Sequence, residues 1–417
     1  MKRFLVRLVS AVMAALLVIT GTGAAEMTVI YGKAKDEEWY LQVLERAQLS
    51  MGSNQRLKRV IERAGAGEEI TIAAIGGSIT EGAGAGRYKE CWAVRTTERF
   101  GSVYGVDGGK NVKLVNAGVG GTPSTFGLMR YQRDVVERVT DPDGLPDIVI
   151  IEFSVNDWGE PTGHKCFEAL VRTALAQPNE PAVILLFAVF RNGWNLQDEL
   201  KRIGEKYDLM MVSIRDGAFP EVGKHWTEKE FFYDEYHPTS LGHVVMADCI
   251  LMAIDAANRA ETSEKDTDPK AGPVFGTEYV GLRTIYAGRE TEGVTVERGG
   301  FAHDDKSSYA NTPVGRVCGE NFFHNAGDSA EPLKITATFS KLLVAWRAVS
   351  GSDYGRAQVL VDGKVTATLF GGEGKWGQSE VVLAFSGKEA AEHTVEIRMA
   401  EGSENKKFTI TCLGIAP

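Results

Sequence analysis

The chain of 417 residues carries 46 basic and 56 acidic side chains, a formal charge of −10, and 43% of it is hydrophobic. That length exceeds one ordinary domain, and that apolar content supports packed cores and excludes wholesale disorder. The acidic balance excludes a footprint for nucleic acid or for anionic lipid surfaces, since both are held through clustered Lys and Arg.

In chain order, Lys2, Arg3 and Arg7 precede an apolar run from Leu8 to Ile19, and small residues Gly21 to Ala25 lead into Glu26. This is the pattern of a secretory signal peptide over residues 1–25, cut near Ala25. The run falls short of the roughly 20 residues a bilayer span needs, which makes an uncleaved anchor the weaker reading. The expectation is export, extracellular or periplasmic, with no stable membrane insertion after cleavage.

Between Gln55 and Ala260, β-branched apolar runs alternate with amphipathic stretches. Strands are predicted at Ile70 to Ile75, Val112 to Asn116, Asp147 to Phe153, Ala182 to Val189 and Leu209 to Ile214. Helices are predicted at Asn54 to Ala64, Thr125 to Val139, Gly163 to Ala176, Leu196 to Tyr207 and Ser240 to Ala257. Buried strands joined by helices make a five-stranded parallel sheet with right-handed crossovers, and function then collects at the carboxyl edge of the strands.

The polar run Glu261 to Lys270 reads as an exposed linker, placed at 261–272, which separates a domain over 26–260 from a second over 273–417. In the second, alternating segments end in turn signals, as at Ala357 to Val361 before Asp362-Gly363 and Thr394 to Met399 before Glu401-Gly402. These read as strands of an all-β sandwich. Trp346, Tyr354 and Trp376 are either core residues of that sandwich or sugar contacts. Cys91, Cys166, Cys249, Cys318 and Cys412 form no short-spaced pairs, so neither a zinc ribbon nor a thioredoxin-like motif is present. In an exported chain, Cys318 and Cys412 are the two expected to pair.

Three strand ends and one later turn carry chemistry. The first strand runs into Gly76-Gly77-Ser78-Ile79-Thr80-Glu81-Gly82, which presents a hydroxyl beside permissive glycines. Taken alone, such a serine serves equally as a turn residue or helix cap. The spacing is not the Gly-x-Ser-x-Gly of the α/β-hydrolase elbow. The second ends in Asn116-Ala117-Gly118-Val119-Gly120-Gly121-Thr122, a glycine-rich turn without the Gly-Lys-Ser/Thr ending of a phosphate loop. The third ends in Phe153-Ser154-Val155-Asn156-Asp157-Trp158, where Asn156 offers an amide or simply makes a turn. Near the end of this region stands Asp234-Glu235-Tyr236-His237-Pro238. An Asp three residues before a His can accept from Nδ1–H and leave Nε2 free as a base. His243 is read as part of the last helix rather than of this pair.

Ser, Gly, Asn and Asp-x-x-His in this order resemble the SGNH, or GDSL-type, hydrolases over about residues 55–257, through Ser78, Gly121, Asn156 and Asp234/His237. Gly76-Gly77-Ser78-Ile79-Thr80 replaces the usual Gly-Asp-Ser-Leu wording, and Ser154 stands where many members have Gly. The longer pattern is similar to secreted two-domain bacterial carbohydrate esterases. The resemblance implies a flavodoxin-like α/β three-layer sandwich with a jelly-roll-like all-β sandwich behind it. It implies a Ser78, His237 and Asp234 triad, and an oxyanion hole from the Ser78 and Gly121 N–H groups and the Asn156 amide, with Gly120 second to Gly121. It implies no metal and no cofactor.

Trp158, Arg191, Asn192, Trp194, Trp226 and Tyr236 lie beside these motifs and are substrate-site candidates; the aromatic ones either stack on sugar rings or close the core. The expected reaction is removal of O-acetyl groups from a polysaccharide or oligosaccharide of plant xylan or mannan type. The alternatives are a lipid-directed esterase or lysophospholipase, marked by preference for long acyl chains, and an inactive carbohydrate-binding surface protein, marked by binding without acetate release.

Overall fold

The computed structural model describes residues 37–307, 312 and 318–417; the expected signal peptide and the side chain of Trp376 lie outside what it describes. The first half alternates helix and strand. Its strands are β1 (Gln48–Ser50), β2 (Ile70–Gly76), β3 (Val112–Gly118), β4 (Ile148–Glu152), β5 (Ala182–Phe187) and β6 (Met210–Ser213). Its helices are α1 (Glu38–Ala47), α2 (Gln55–Gly65), the single turn α3 (Ser78–Glu81), α4 (Trp92–Tyr104), α5 (Ser124–Asp134), α6 (Lys165–Leu175) and α7 (Gln197–Lys206). Single turns α8 (Ile214–Gly217) and α9 (Glu228–Phe231) then lead to α10 (Ser240–Arg259).

The sheet order is β1-β6-β5-β4-β2-β3. The five strands β2 to β6 are parallel, and the short β1 adds an antiparallel edge that the sequence does not announce. The order in which strands are added therefore reverses at β2, with β3 laid down on one side and β4 on the other, which is the flavodoxin-like switch point where a site is expected. The strands β2, β4, β5 and β6 are buried along their whole length. Alternate residues feed opposite layers: Ile72, Ala74, Ile148 and Ile150 pack with α1, α2, α4 and α10, while Ala73, Ile75, Val149 and Ile151 pack with α5, α6 and α7. Helix α10 is apolar nearly all round because it is a core helix, with most of its residues buried.

In the second half every pair of described strands is antiparallel. Its strands are β7 (Arg283–Ile285), β8 (Val294–Glu297), β9 (Phe322–His324), β10 (Leu333–Ser350), β11 (Arg356–Val361), β12 (Lys364–Phe370), β13 (Glu373–Met399) and β14 (Phe408–Ala416). The long strands β10 and β13 pair along nearly their whole length at the centre of the sheet. Residues 334–337 of β10 pair with β8, whereas residues 341–346 pair with β14, and the register shifts between Phe339 and Lys341. The Asp362-Gly363 turn joins β11 to β12 with both residues at positive φ, 51° and 76°, the two-residue hairpin geometry.

The two halves share apolar packing. Tyr286, Cys318, Leu343, Ala345 and Cys412 join the layer formed by α5 and α6. The Tyr286 hydroxyl donates to Met129 O at 2.9 Å, and the Arg133 guanidinium sits 4.4 Å from the Tyr286 ring centre. The stretch 261–272 is tied down rather than free: Asn54 bonds Ser263, and Arg56 pairs with Asp266 at 3.1 Å. All five cysteines are buried free thiols, which corrects the expected Cys318–Cys412 bond; both belong to the shared apolar layer without being joined. Trp346 donates to Phe370 O, and Tyr354 joins Arg347 and Asp305 in a polar network, so both are built into the sandwich.

Candidate active site

Strand β2 delivers Ser78 as the first residue of α3, directly at the carboxyl edge of the sheet. Such close seating needs missing side chains around it. A Cβ at Gly118 would lie 2.1 Å from Glu81 N, and one at Gly77 would lie 2.3 Å from Asn156 Oδ1. The first N–H of a helix has no intrahelical acceptor, so that of Ser78 is left for another partner.

His237 arrives from a loop closed by pairing of Phe232 with Pro238 and by Tyr233 N–H donating to His237 O at 2.9 Å. Thr239 then caps α10, accepting from Gly242 N–H. Asp234 folds this loop as well as orienting the ring. Its Oδ1 accepts the N–H groups of Tyr236 at 2.7 Å and His237 at 2.8 Å, and its Oδ2 meets His237 Nδ1 at 2.8 Å. Burial raises the Asp234 carboxyl, but these bonds from His237 and the backbone outweigh it and hold the group below its ordinary range. A carboxylate only accepts, so Nδ1 carries the ring proton and Nε2 faces Ser78 Oγ as acceptor at 2.9 Å.

The turn after β3 supplies the remaining groups. Gly121 takes a left-handed φ of 67°, and its N–H has no hydrogen bond among the described residues. The Gly120 N–H instead donates to Glu81 Oε2 at 2.7 Å. The Asn156 amide lies against Gly77, the residue before Ser78. Four segments distant in sequence thus meet at one sheet edge, with a hydroxyl aligned to an imidazole and a carboxylate. That alignment can abstract the hydroxyl proton, attack a carbonyl and return the proton to a leaving group.

Other candidates divide. Trp158 is 80% exposed and Tyr236 51% exposed, both beside the site. Tyr236 leans edge-on against Phe190 at 5.1 Å, and Phe190 stacks with Trp194 at 5.7 Å. Arg191 braces the histidine loop through Glu235, and the Asn192 side chain caps its own turn by accepting from Trp194 N–H. Trp226 is a correction. It is 3% exposed and packed against Trp39, Tyr40 and Phe231, so it closes the core and offers a sugar no surface.

Sequence reasoning passed over Glu81, Tyr233 and Glu152. Tyr233 is 72% exposed and flanks Asp234 opposite Tyr236; aromatic residues on both sides of the Asp-x-x-His signature were the available signal. Glu152 is fully buried at the end of β4, where Thr80 Oγ1 donates to it at 3.0 Å, and burial pushes its carboxyl up to about 7. Burial likewise takes Asp157, which accepts from Ser124 N–H, up to about 8. His243 stands outside the triad: buried, it accepts from Trp92 N–H and bonds Ala83 O, and burial lowers it to about 4, so it is neutral.

Residues 74–245 match the GDSL-like lipase/acylhydrolase family. A two-domain esterase, CEX, active on acetylated mannans is 27% identical in its crystal structure, with 89% of this chain and 98% of that one covered and a TM-score of 0.74. The structure of that esterase co-crystallised with mannopentaose gives 27% identity, 89% and 97% coverage and a TM-score of 0.75. No curated protein sequence matches the chain.

Proposed function

We propose that this carboxylic ester hydrolase of the GDSL type is an exported serine esterase that removes O-acetyl groups from a mannan-type polysaccharide. The carrying observation is the aligned series from Ser78 Oγ through His237 to Asp234, with spacings of 2.9 and 2.8 Å. The substrate reading is supported by likeness across both domains to an esterase active on acetylated mannans. Exposed rings of Trp158, Tyr233 and Tyr236 beside the site support it too, since flat aromatic faces suit sugar rings.

In this reading Ser78 Oγ attacks the acetyl carbonyl as its proton passes to His237 Nε2, and the imidazolium is stabilised by Asp234. The tetrahedral oxygen is held by the Ser78 and Gly121 N–H groups and the Asn156 amide. Collapse breaks the bond to the sugar oxygen, which takes the proton from Nε2 and departs as an alcohol. The acetyl group stays on Ser78. Water then attacks this ester, giving its proton to Nε2 as the second tetrahedral species forms. That species collapses as Ser78 Oγ recovers the proton and acetate leaves.

Acetate release from acetylated glucomannan, acetylated xylan and O-acetylated peptidoglycan, measured for the native protein and Ser78→Ala, tests the proposal. Glucomannan is expected to be deacetylated fastest, and only by the native protein. Faster release from either other polymer would overturn the substrate assignment.

A further inference from the structure

The mechanism leaves one half-buried acid of the site unused. Glu81 stands three residues beyond Ser78 on the same helical turn, and its Oε2 accepts the Gly120 N–H at 2.7 Å. We propose that Glu81 is a positioning residue: by gripping Gly120 it sets the neighbouring Gly121 N–H relative to Ser78, making the two backbone donors one rigid unit. The inference rests on the serine-esterase reading above.

Three bonds lash the end of β3 to the segment bearing the nucleophile. Asn116 Nδ2 donates to Thr80 O at 2.8 Å, Val119 N–H to Gly76 O at 3.0 Å, and Gly120 N–H to Glu81. The first two act at or before Val119. Beyond it lie two successive glycines with broad backbone freedom, the second in a left-handed conformation at φ 67°. The Glu81 bond acts within this pair, one peptide from the donor that must be fixed, inside a turn that Thr122 Oγ1 closes by donating to Val119 O at 2.7 Å. Oxyanion stabilisation depends on donors held in place before charge develops, so restraint at this point acts on the transition state rather than on substrate binding.

The surroundings suit an acceptor here. Arg130 from α5 and His237 from its loop both favour the carboxylate electrostatically, while burial opposes it and raises the group from its ordinary value. Gln in place of Glu81 keeps an oxygen able to accept from Gly120. Ala and Leu do not, and Leu also retains most of the volume. The proposal therefore separates the hydrogen bond from both charge and packing.

The test uses the full chain and a chromogenic acetyl ester. Glu81→Ala and Glu81→Leu are each expected to lower kcat about ten- to a hundredfold, somewhat less than loss of an oxyanion donor itself, with KM changed less than about twofold. Glu81→Gln is expected to stay within about threefold of native kcat, since it retains the acceptor. Amide hydrogen exchange of the native and variant proteins gives a second readout that needs no turnover: the Gly120 amide should exchange faster in the Ala and Leu variants and at the native rate in Gln. Native kcat in Ala and Leu, an equal loss in Gln, or unchanged Gly120 exchange would each overturn the proposal. Native-level activity in Ser78→Ala would instead refute the serine reading, and the exchange result would still judge the Glu81 bond.

Discussion

Replacing Glu152 with Gln tests the electrostatics of the buried carboxyl that accepts from Thr80, two residues beyond Ser78. The Glu152 side chain is fully buried, receives one hydrogen bond from Thr80, and leaves Oε1 without a partner among the described residues. Burial lifts its carboxyl from 4.5 to about 7. The folded state therefore holds the proton more tightly than the unfolded state. Stability from this group is lost as pH rises from about 4.5 to about 7, and the cost is fully present above that window. At about 1.36 kcal/mol per pH unit, the penalty is about 1 kcal/mol at pH 5 and about 3 kcal/mol at pH 8. Glutamine keeps an acceptor for Thr80 and cannot ionise, though its NH₂ adds a pH-independent cost of about 1–3 kcal/mol if unpaired. The informative quantity is thus the change in the variant-minus-native stability between the two pH values. Chemical denaturation at pH 5 and pH 8 should show that difference moving in favour of Gln by about 2 kcal/mol. A difference that stays constant with pH would refute the burial argument.

Three further outcomes follow from the geometry. Asn156→Ala should reduce kcat by about 10²- to 10³-fold, as for one oxyanion donor, and near-native kcat would remove Asn156 from that role. Gly84→Val should cut kcat on a small acetyl ester while sparing secondary structure by circular dichroism. Even the first carbon of a side chain there would lie 2.1 Å from Pro238 O and 3.0 Å from His237 Cβ, displacing the histidine loop; unaltered kcat would show that loop to be independent of Gly84. Trp158→Ala should raise KM for acetylated manno-oligosaccharides by about tenfold, the worth of roughly 1–1.5 kcal/mol of ring contact, with the small ester unaffected. An equal effect on both substrates would deny the ring a sugar-binding role.

The sheet was legible because its parallel strands are short apolar runs that need no long-range information, and the glycine turns marked where they end. Helix α4 was not, since Thr96, Thr97 and Gly101 fill its buried face and weaken the apolar period. In β13 the stretch Lys388 to His393 has a helix-favouring composition, yet pairing of residues 391–397 with 333–339 holds it extended. The site followed the same division. The Ser, Gly, Asn and Asp-x-x-His blocks each sit in a local motif. Trp226 was misplaced because only packing with Trp39 and Tyr40 from the distant α1 decides its burial. Glu81 stood within the first block unnoticed because its partner, Gly120, lies 39 residues away.

The central claim is that Ser78 becomes acylated during turnover. Rapid quenching during hydrolysis of an acetyl ester, followed by peptide mass spectrometry, should place one acetyl group on the peptide containing Ser78, and at Ser78 itself on fragmentation. An acetyl group carried by another residue, or native turnover by Ser78→Ala, would contradict the account.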